Sequence, residues 1–415
     1  MDNQFENRYR LEPSFEENPS NIEKKQFIEN EQIRTQKDLT TRPTNIGYFE
    51  KLMYQHDYRV NDRLRIGYFC RMIPQEIIMA FDADPVRLDC GNAAAAVVGE
   101  EVLSGEICPL AKASFGSFLQ KNAIAPTCDL LVLPTSCDAK RKMGEVLNDF
   151  LPTFMFNLPS EQNHVRYAKS SLSEVFRLID FLKTHTGRRF SNRRLKEAIR
   201  LGVRRTHLVR ELSDLRLKDP QGISIRDLFL IIQSSLFRPV DPEEWIQEAT
   251  TVLDELRTHD PARKSLRPRF VLTGAPMVWP NYKVLNIIEE SGADIVTDTL
   301  CTGVQSCFDP VVVDERGRRS MLRALVNNTI FASICPCFIS QTTRINRILD
   351  LADTSDAEGV ISYSLRLCQL FDVENYRVTK ILKARQIPHI NIRTDYSLED
   401  TEQLRIRIEA FLETL

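Results

Sequence analysis

The sequence predicts an α/β protein with two open parallel sheets of the Rossmann or flavodoxin kind. Three observations predict it. The runs DLLVLP and PTFMFNLP are mostly apolar and bounded by proline, as strands buried on both faces are. From residue 268 onwards, strand-like and helical segments alternate, the pattern of a parallel sheet with crossover helices. Between these stretches, residues 161–267 carry leucine and isoleucine at three- and four-residue spacing throughout.

Taken in order, residues 1–60 are polar and rich in acids and amides, with helical stretches but no strong apolar stripe. They are expected to form a peripheral helical extension. Residues 61–160 are expected to form a first α/β domain, in which the apolar runs RLRIGYF, PQEIIMAF, DLLVLP and PTFMFNLP mix with helical segments. SLSEVFRLIDFLKTH and DLFLIIQSSLF mark residues 161–267 as a helical domain. Residues 268–415 are expected to form a second α/β domain. Its strands are RFVLTG, GADIVTD, NTIFAS, GVISYSL and IPHINI, with helices around NYKVLNIIEES and at EQLRIRIEAFLETL. No internal repeat is visible, although the two sheets can be distant copies of one another.

Composition narrows the function. Hydrophobic residues at 42% and charged residues at 27% are ordinary for a soluble globular chain. A formal net charge of −2 gives no general attraction to nucleic acid or anionic membrane. No apolar run approaches the ~20 residues needed to span a bilayer. The stretch MDNQFENRYRLEPSFEENPS lacks the basic and apolar regions of a secretory signal, so a cytoplasmic location is expected.

The chain has 10 cysteines, and a reducing compartment argues against disulfides as their purpose. Cys137, Cys301, Cys335, Cys337 and Cys368 each follow an expected strand, at the edge where open α/β sheets bind ligands. Cys108 and Cys335 each precede a proline, which favours the first position of a helix and sets the thiol at its N-terminus. Cys70, four residues before Pro74, is placed similarly. Soft thiolates gathered at one edge suit zinc, copper(I) or an iron–sulfur cluster. Only Cys335 and Cys337 are close enough in sequence to resemble a zinc pair, and no histidine lies beside the thiols. The other spacings are those of single ligands delivered by separate elements, which favours a cluster. Cys90, Cys128 and Cys307 are read as structural filling.

The stretches GYFCRMIPQEIIMA, ICPLAKASFG, PTSCDAKRKM, VLTGAP, CTG, SICPCFIS, GVISYSLRLC and TDYSLEDTEQLRIRIEAFLE carry a resemblance. In that order, from about residue 64 to the C-terminus, the chain resembles the 2-hydroxyacyl-CoA dehydratase and benzoyl-CoA reductase family, and most of all its double-cubane cluster protein branch. Dehydratase subunits of that family hold one [4Fe–4S] cubane on three cysteines, which correspond by position to Cys108, Cys137 and Cys368. The branch with two bridged cubanes, [8Fe–9S], implies further ligands. Cys70, Cys301 and the Cys335/Cys337 pair are the candidates, the choice within the pair being open. Residues 1–60 lie outside the resemblance. Asp82 and Asp84 stand where the family tends to have small residues, and DTEQL replaces a more usual glycine before the glutamine.

The resemblance implies an iron–sulfur oxidoreductase that accepts single electrons and reduces a small substrate, an acyl-CoA among the candidates. Moving an electron from about −400 mV to about −700 mV costs roughly 7 kcal/mol. The chain has no G-x-x-x-x-G-K-[ST] loop, so that energy is not supplied by a P-loop of its own. A separate ATP-hydrolysing iron–sulfur activator and a homodimer are the partners implied. Asp138 is expected to cap the helix beginning AKRKM, and Lys140, Arg141 and Lys142 either offset cluster charge or form a solvated face. Val278 and Trp279 either shape the pocket or are ordinary buried residues. Three other readings stand beside this one. The first is a single-cubane 2-hydroxyacyl-CoA dehydratase subunit, a lyase. The second is an iron–sulfur nucleic-acid-binding protein, suggested by the arginine-rich run GRRFSNRRLKEAIRLGVRRTHLVR. The third is a cluster scaffold or redox sensor without turnover.

Overall fold

The computed structural model describes residues 42–54, 63–120, 125–238, 240–258, 265–314, 317–339 and 342–415. Two four-stranded sheets organise it, every pairing parallel. The first contains β1 (Arg65–Tyr68), β2 (Asp84–Arg87), β3 (Leu130–Pro134) and β4 (Thr153–Phe156), in the order β2-β1-β3-β4. The second contains β5 (Arg269–Gly274), β6 (Asp294–Asp298), β7 (Gly359–Leu365) and β8 (His389–Thr394), in the order β6-β5-β7-β8. Each sheet therefore runs second, first, third, fourth, and the two-sheet α/β class read from the sequence is correct.

Burial explains which strands were legible. The inner strands β3 (LLVLP) and β7 (GVISYSL) are buried along their whole length, as parallel strands covered on both faces must be. The outer strand β2 (DPVR) was not expected from sequence. It is short and charged, and its proline is tolerated because it pairs on one side only. The outer strand β6 is fully buried instead, and the Arg216 guanidinium donates to its Ile295 carbonyl, covering an otherwise open edge.

The helices around the first sheet are only partly announced by the sequence. Helix α1 (Ile46–Tyr54) is the described part of the expected N-terminal extension, and residues 1–41 and 55–60 of that expectation lie outside the described residues. Phe49 on α1 is fully buried and meets Trp245 edge-on. Around the sheet lie α2 (Gln75–Met79), α3 (Ala93–Gly99), α4 (Pro109–Leu119) and α5 (Asp138–Leu147). Next come four helices, α6 (His164–Thr186), α7 (Asn192–Lys218), α8 (Ile225–Phe237) and α9 (Pro242–Thr258). The starts of α6, α7 and α8 are set by side-chain caps: Asn163, Ser191 and Ser224 accept the amides of Arg166, Arg194 and Asp227. Helix α6 ends on Gly187, whose φ of 66° closes a left-handed C-cap. Around the second sheet lie α10 (Lys283–Glu290), α11 (Arg318–Val326), α12 (Thr342–Thr354), α13 (Gln369–Ala384) and α14 (Thr401–Leu412). Among the described residues no helix is long and apolar enough to cross a membrane.

One expected strand is absent. NTIFAS continues α11 as a π-helical turn, Asn327–Phe331. The reason is periodicity: Leu322, Leu325, Val326 and Ile330 recur at helical spacing and are buried with Leu172 and Val175 of α6. A β-branched run read alone hid that stripe. As a result, residues 318–339 pack on the core of the first sheet, although they follow β6 of the second. The arginine-rich run forms the start of α7, where Arg194 pairs with Asp82, Arg200 with Glu197, and Arg204 with Glu243. It is an ion-paired helix face.

Candidate functional site

Strand order reverses between β1 and β3 in the first sheet and between β5 and β7 in the second, and ligands of open α/β sheets bind beyond the carboxyl ends of such strands. Cys70 follows β1 and Cys137 follows β3; Gly274 ends β5 and Cys368 follows β7. All four line one cavity of about 100 Å³. Cys108, Cys301 and Cys335 line it too, so 6 cysteines contributed by both halves of the chain face a single space. Cys337 is hydrogen-bonded to Cys335 but does not line the cavity. Cys90, Cys128 and Cys307 do not line it either. Cys128 and Cys307 are buried in apolar clusters, the former against Gly67, where a Cβ would lie 3.2 Å from its sulfur.

Three of the cysteines share one local device. Cys108, Cys137 and Cys368 are the N-cap residues of α4, α5 and α13, and none closes a side-chain capping bond onto its own helix. First-turn amides favour negative charge at all three sulfurs: Leu110 and Ala111 at Cys108, Lys140 at Cys137, Leu370 and Phe371 at Cys368. Pro109 occupies the first position of α4, as expected from the sequence. Asp138 is not the N-cap of α5; Cys137 occupies that position, and Asp138 is exposed and paired with Arg141. Cys335 was expected at a helix N-terminus after a strand. It follows the π turn and precedes a turn instead, with Phe338 N–H donating to its carbonyl.

Backbone strain appears beside the cavity. Cys70 has φ of 75° and Leu367, preceding Cys368, has φ of 63°, both in the region that side chains other than glycine rarely adopt. The Cys70 conformation is held because its amide donates to Asp89 Oδ2 at 3.1 Å. The loop carrying Cys335 is held by Gln162, whose Nε2 donates to Ile330 O at 2.6 Å and to Ser333 O at 2.5 Å.

Electrostatics completes the site. Arg71, Arg87, Lys140 and Arg344 line the cavity. Asp89, fully buried, receives Arg87 Nε at 2.6 Å and Lys140 Nζ at 2.9 Å. Burial opposes its ionisation, but the two cations hold its carboxyl well below the usual carboxylate range. Arg87 also reaches Cys301, donating to its carbonyl at 3.0 Å and to its sulfur at 3.7 Å. Arg344 pairs with Glu374 at 2.8 Å and donates to Thr273 Oγ1. The basic run thus divides, with Lys140 buried toward Cys70 and Cys137 and Arg141 and Lys142 paired on the surface. Burial pushes the Cys70 thiol up to about 12, against the pull of Lys140, and raises Cys137 and Cys301 as well. Cys108 and Cys368 share a hydrogen bond, which together with the α13 amides favours the thiolate at Cys368.

Several of these residues escaped the sequence reading. Arg87, Asp89, Arg71, Arg344 and Gln162 carry no spacing signal, since their pairing depends on which strands and loops meet. Neither Val278 nor Trp279 lines the cavity: Val278 is buried in the core, and Trp279 is half-buried, its carbonyl accepting the Gly91 amide. Among the described residues no three His, Cys, Asp or Glu donors converge on one ion's position. The thiols are spread around the cavity.

Comparison with known proteins gives a consistent picture. Residues 70–415 match the family described as 2-hydroxyglutaryl-CoA dehydratase, D-component. The chain is 29% identical over 354 residues to "Putative dehydratase subunit YjiM" of Escherichia coli (strain K12), covering 84% of this chain and 91% of that one. It is 23% identical over 176 residues to the (R)-phenyllactyl-CoA dehydratase beta subunit of Clostridium sporogenes, 42% of this chain and 45% of the relative. A shorter match, 33% identical over 76 residues, is to (R)-2-hydroxyglutaryl-CoA dehydratase, subunit beta, of Acidaminococcus fermentans, 18% and 20% of the two chains.

Proposed function

Because this chain belongs to the 2-hydroxyglutaryl-CoA dehydratase D-component family, we propose that it is the iron–sulfur catalytic component of an ATP-dependent, low-potential reductase. The observation that carries this reading is the one cavity lined by 6 cysteines from both sheets. Its residues fit an iron–sulfur group by their chemistry. Thiols are the ligands such clusters take, and cations at the wall offset the negative charge of a thiolate-bound cluster. Thiols distributed around a space suit several irons better than one ion.

In this reading Cys108, Cys137 and Cys368 hold one cubane, Cys70, Cys301 and Cys335 hold a second, and Cys337 holds no iron. When bound, the double-cubane group supplies single electrons at low potential and an open iron for a substrate oxygen or unsaturated bond. The chain's residues supply the rest. The thiols give up their protons on metal binding, a change that the helix N-termini and Lys140 favour. Arg87 and Lys140 set the local charge, and Met72, Leu110, Ala111, Leu370 and Phe371 form apolar walls that limit water. Electrons come from a separate ATP-hydrolysing activator, the substrate is a small molecule of the acyl-CoA class named in the relatives, and the chain works as a cytoplasmic homodimer.

A second reading has its own observation. Among the described residues the cysteines at helix N-caps are Cys108, Cys137 and Cys368, which singles out the three that a single-[4Fe–4S] dehydratase subunit needs. Counting iron and acid-labile sulfide in protein purified without oxygen separates the two. About eight irons and nine sulfides per chain are expected for the double cubane, whereas about four of each establish the dehydratase lyase. None after reconstitution overturns both.

A further inference from the structure

Gln305 lies in the loop after β6, four residues beyond Cys301, and lines the cavity with 2% of its surface exposed. The loop is firmly supported. The buried Asp298 carboxylate accepts the Leu300 amide at 2.8 Å and the Val304 amide at 2.9 Å. Gly303 passes so close that a Cβ there would come within 2.5 Å of that carboxylate.

The side-chain amide is oriented as well. Its Oε1 accepts from Arg347 Nη1 at 3.0 Å. A guanidinium has no acceptor, so the amide cannot turn round and keep this bond. Arg347 is itself fixed, 3.7 Å from the centroid of the Phe308 ring and 3.5 Å from Asp309. Nε2 is thereby left buried with no hydrogen-bond partner among the described residues. Buried amide donors are nearly always paired, because an unpaired one forfeits its hydration without compensation.

We infer that Gln305 is a positioning residue whose Nε2 donates a hydrogen bond to a sulfur or other anionic acceptor of the group held in the cavity, and so tunes its reduction potential. The inference rests on the iron–sulfur reading. A donor to an acceptor that gains negative charge on reduction stabilises the reduced form more than the oxidised form. Arg347 acts through Gln305, by keeping the donor turned inward.

The test compares wild-type, Gln305→Leu, Gln305→Glu and Arg347→Met proteins loaded without oxygen. Each is titrated with redox dyes and followed by electron paramagnetic resonance, with iron and sulfide counted per chain. Iron is expected to be equal in all four. Gln305→Leu is expected to shift the reduction equilibrium about tenfold against the reduced state, 59 mV for a one-electron couple. Gln305→Glu, similar in shape but an acceptor, moves it further the same way, and Arg347→Met moves it less. An unchanged potential in both Gln305 variants at full iron content overturns the inference while leaving the iron–sulfur reading intact. A wild-type chain that takes up no iron overturns both.

Discussion

At the residue scale, Asp89 is the node on which the cavity's charge depends. Two cations and the strained Cys70 amide converge on one buried carboxylate. Asp89→Asn keeps the shape but removes the charge, leaving Arg87 and Lys140 buried without their counter-ion. Breaking a buried pair from one side costs about 3–5 kcal/mol, and urea denaturation of the variant is expected to show a loss of that order. A loss no larger than that of a surface carboxylate variant would mean that solvent relieves the two cations. The sequence displayed Lys140 only as one of three neighbouring bases. Which of the three turns inward is decided by helix phase: Lys140 is buried on α5, whereas Arg141 and Lys142 are paired on its surface.

At the element scale, the site depends on how closely α4 can approach its neighbours. A Cβ on Gly116 of α4 would lie 1.7 Å from the Ala95 carbonyl oxygen of α3, and one on Gly99 would lie 2.1 Å from the Lys112 carbonyl oxygen. The runs AAAAVVG and PLAKASFG are therefore a pair of small-residue faces. Gly116→Ala is expected to force α3 and α4 apart, lowering stability by roughly 1–3 kcal/mol. Gly47→Ala on α1, where nothing lies within 4 Å, is the matched control. It is expected to leave stability unchanged or raise it by up to about 1 kcal/mol, and thermal melts of the two variants check both outcomes. The proline after Cys108 announced the start of α4 in the sequence. The same dipeptide at Cys335 did not, because residues 318–331 spend their apolar stripe on α6 and the chain then turns rather than starting a helix.

At the scale of the whole molecule, two sheets of identical strand order bring the carboxyl ends of their strands to one cavity. The central strands and their exits were legible because a buried parallel strand must be an apolar run that ends where the loop begins. That placed Cys137, Cys301 and Cys368 at ligand-binding edges, whereas Cys70, expected at a helix N-terminus from Pro74, also follows a strand, β1. The cross-connections were not legible. Arg87 reaching Cys301, Gln162 holding the Cys335 loop, and α11 crossing to the first sheet each join segments remote in sequence. We propose that the 6 cavity cysteines divide into two ligand sets for one bridged group. This division is tested most directly by counting iron in the Cys70→Ser, Cys301→Ser, Cys335→Ser triple variant beside the wild-type chain, both purified without oxygen. The expected result is a fall to about half, from about eight irons to about four held by Cys108, Cys137 and Cys368. Iron unchanged by the triple substitution would contradict it.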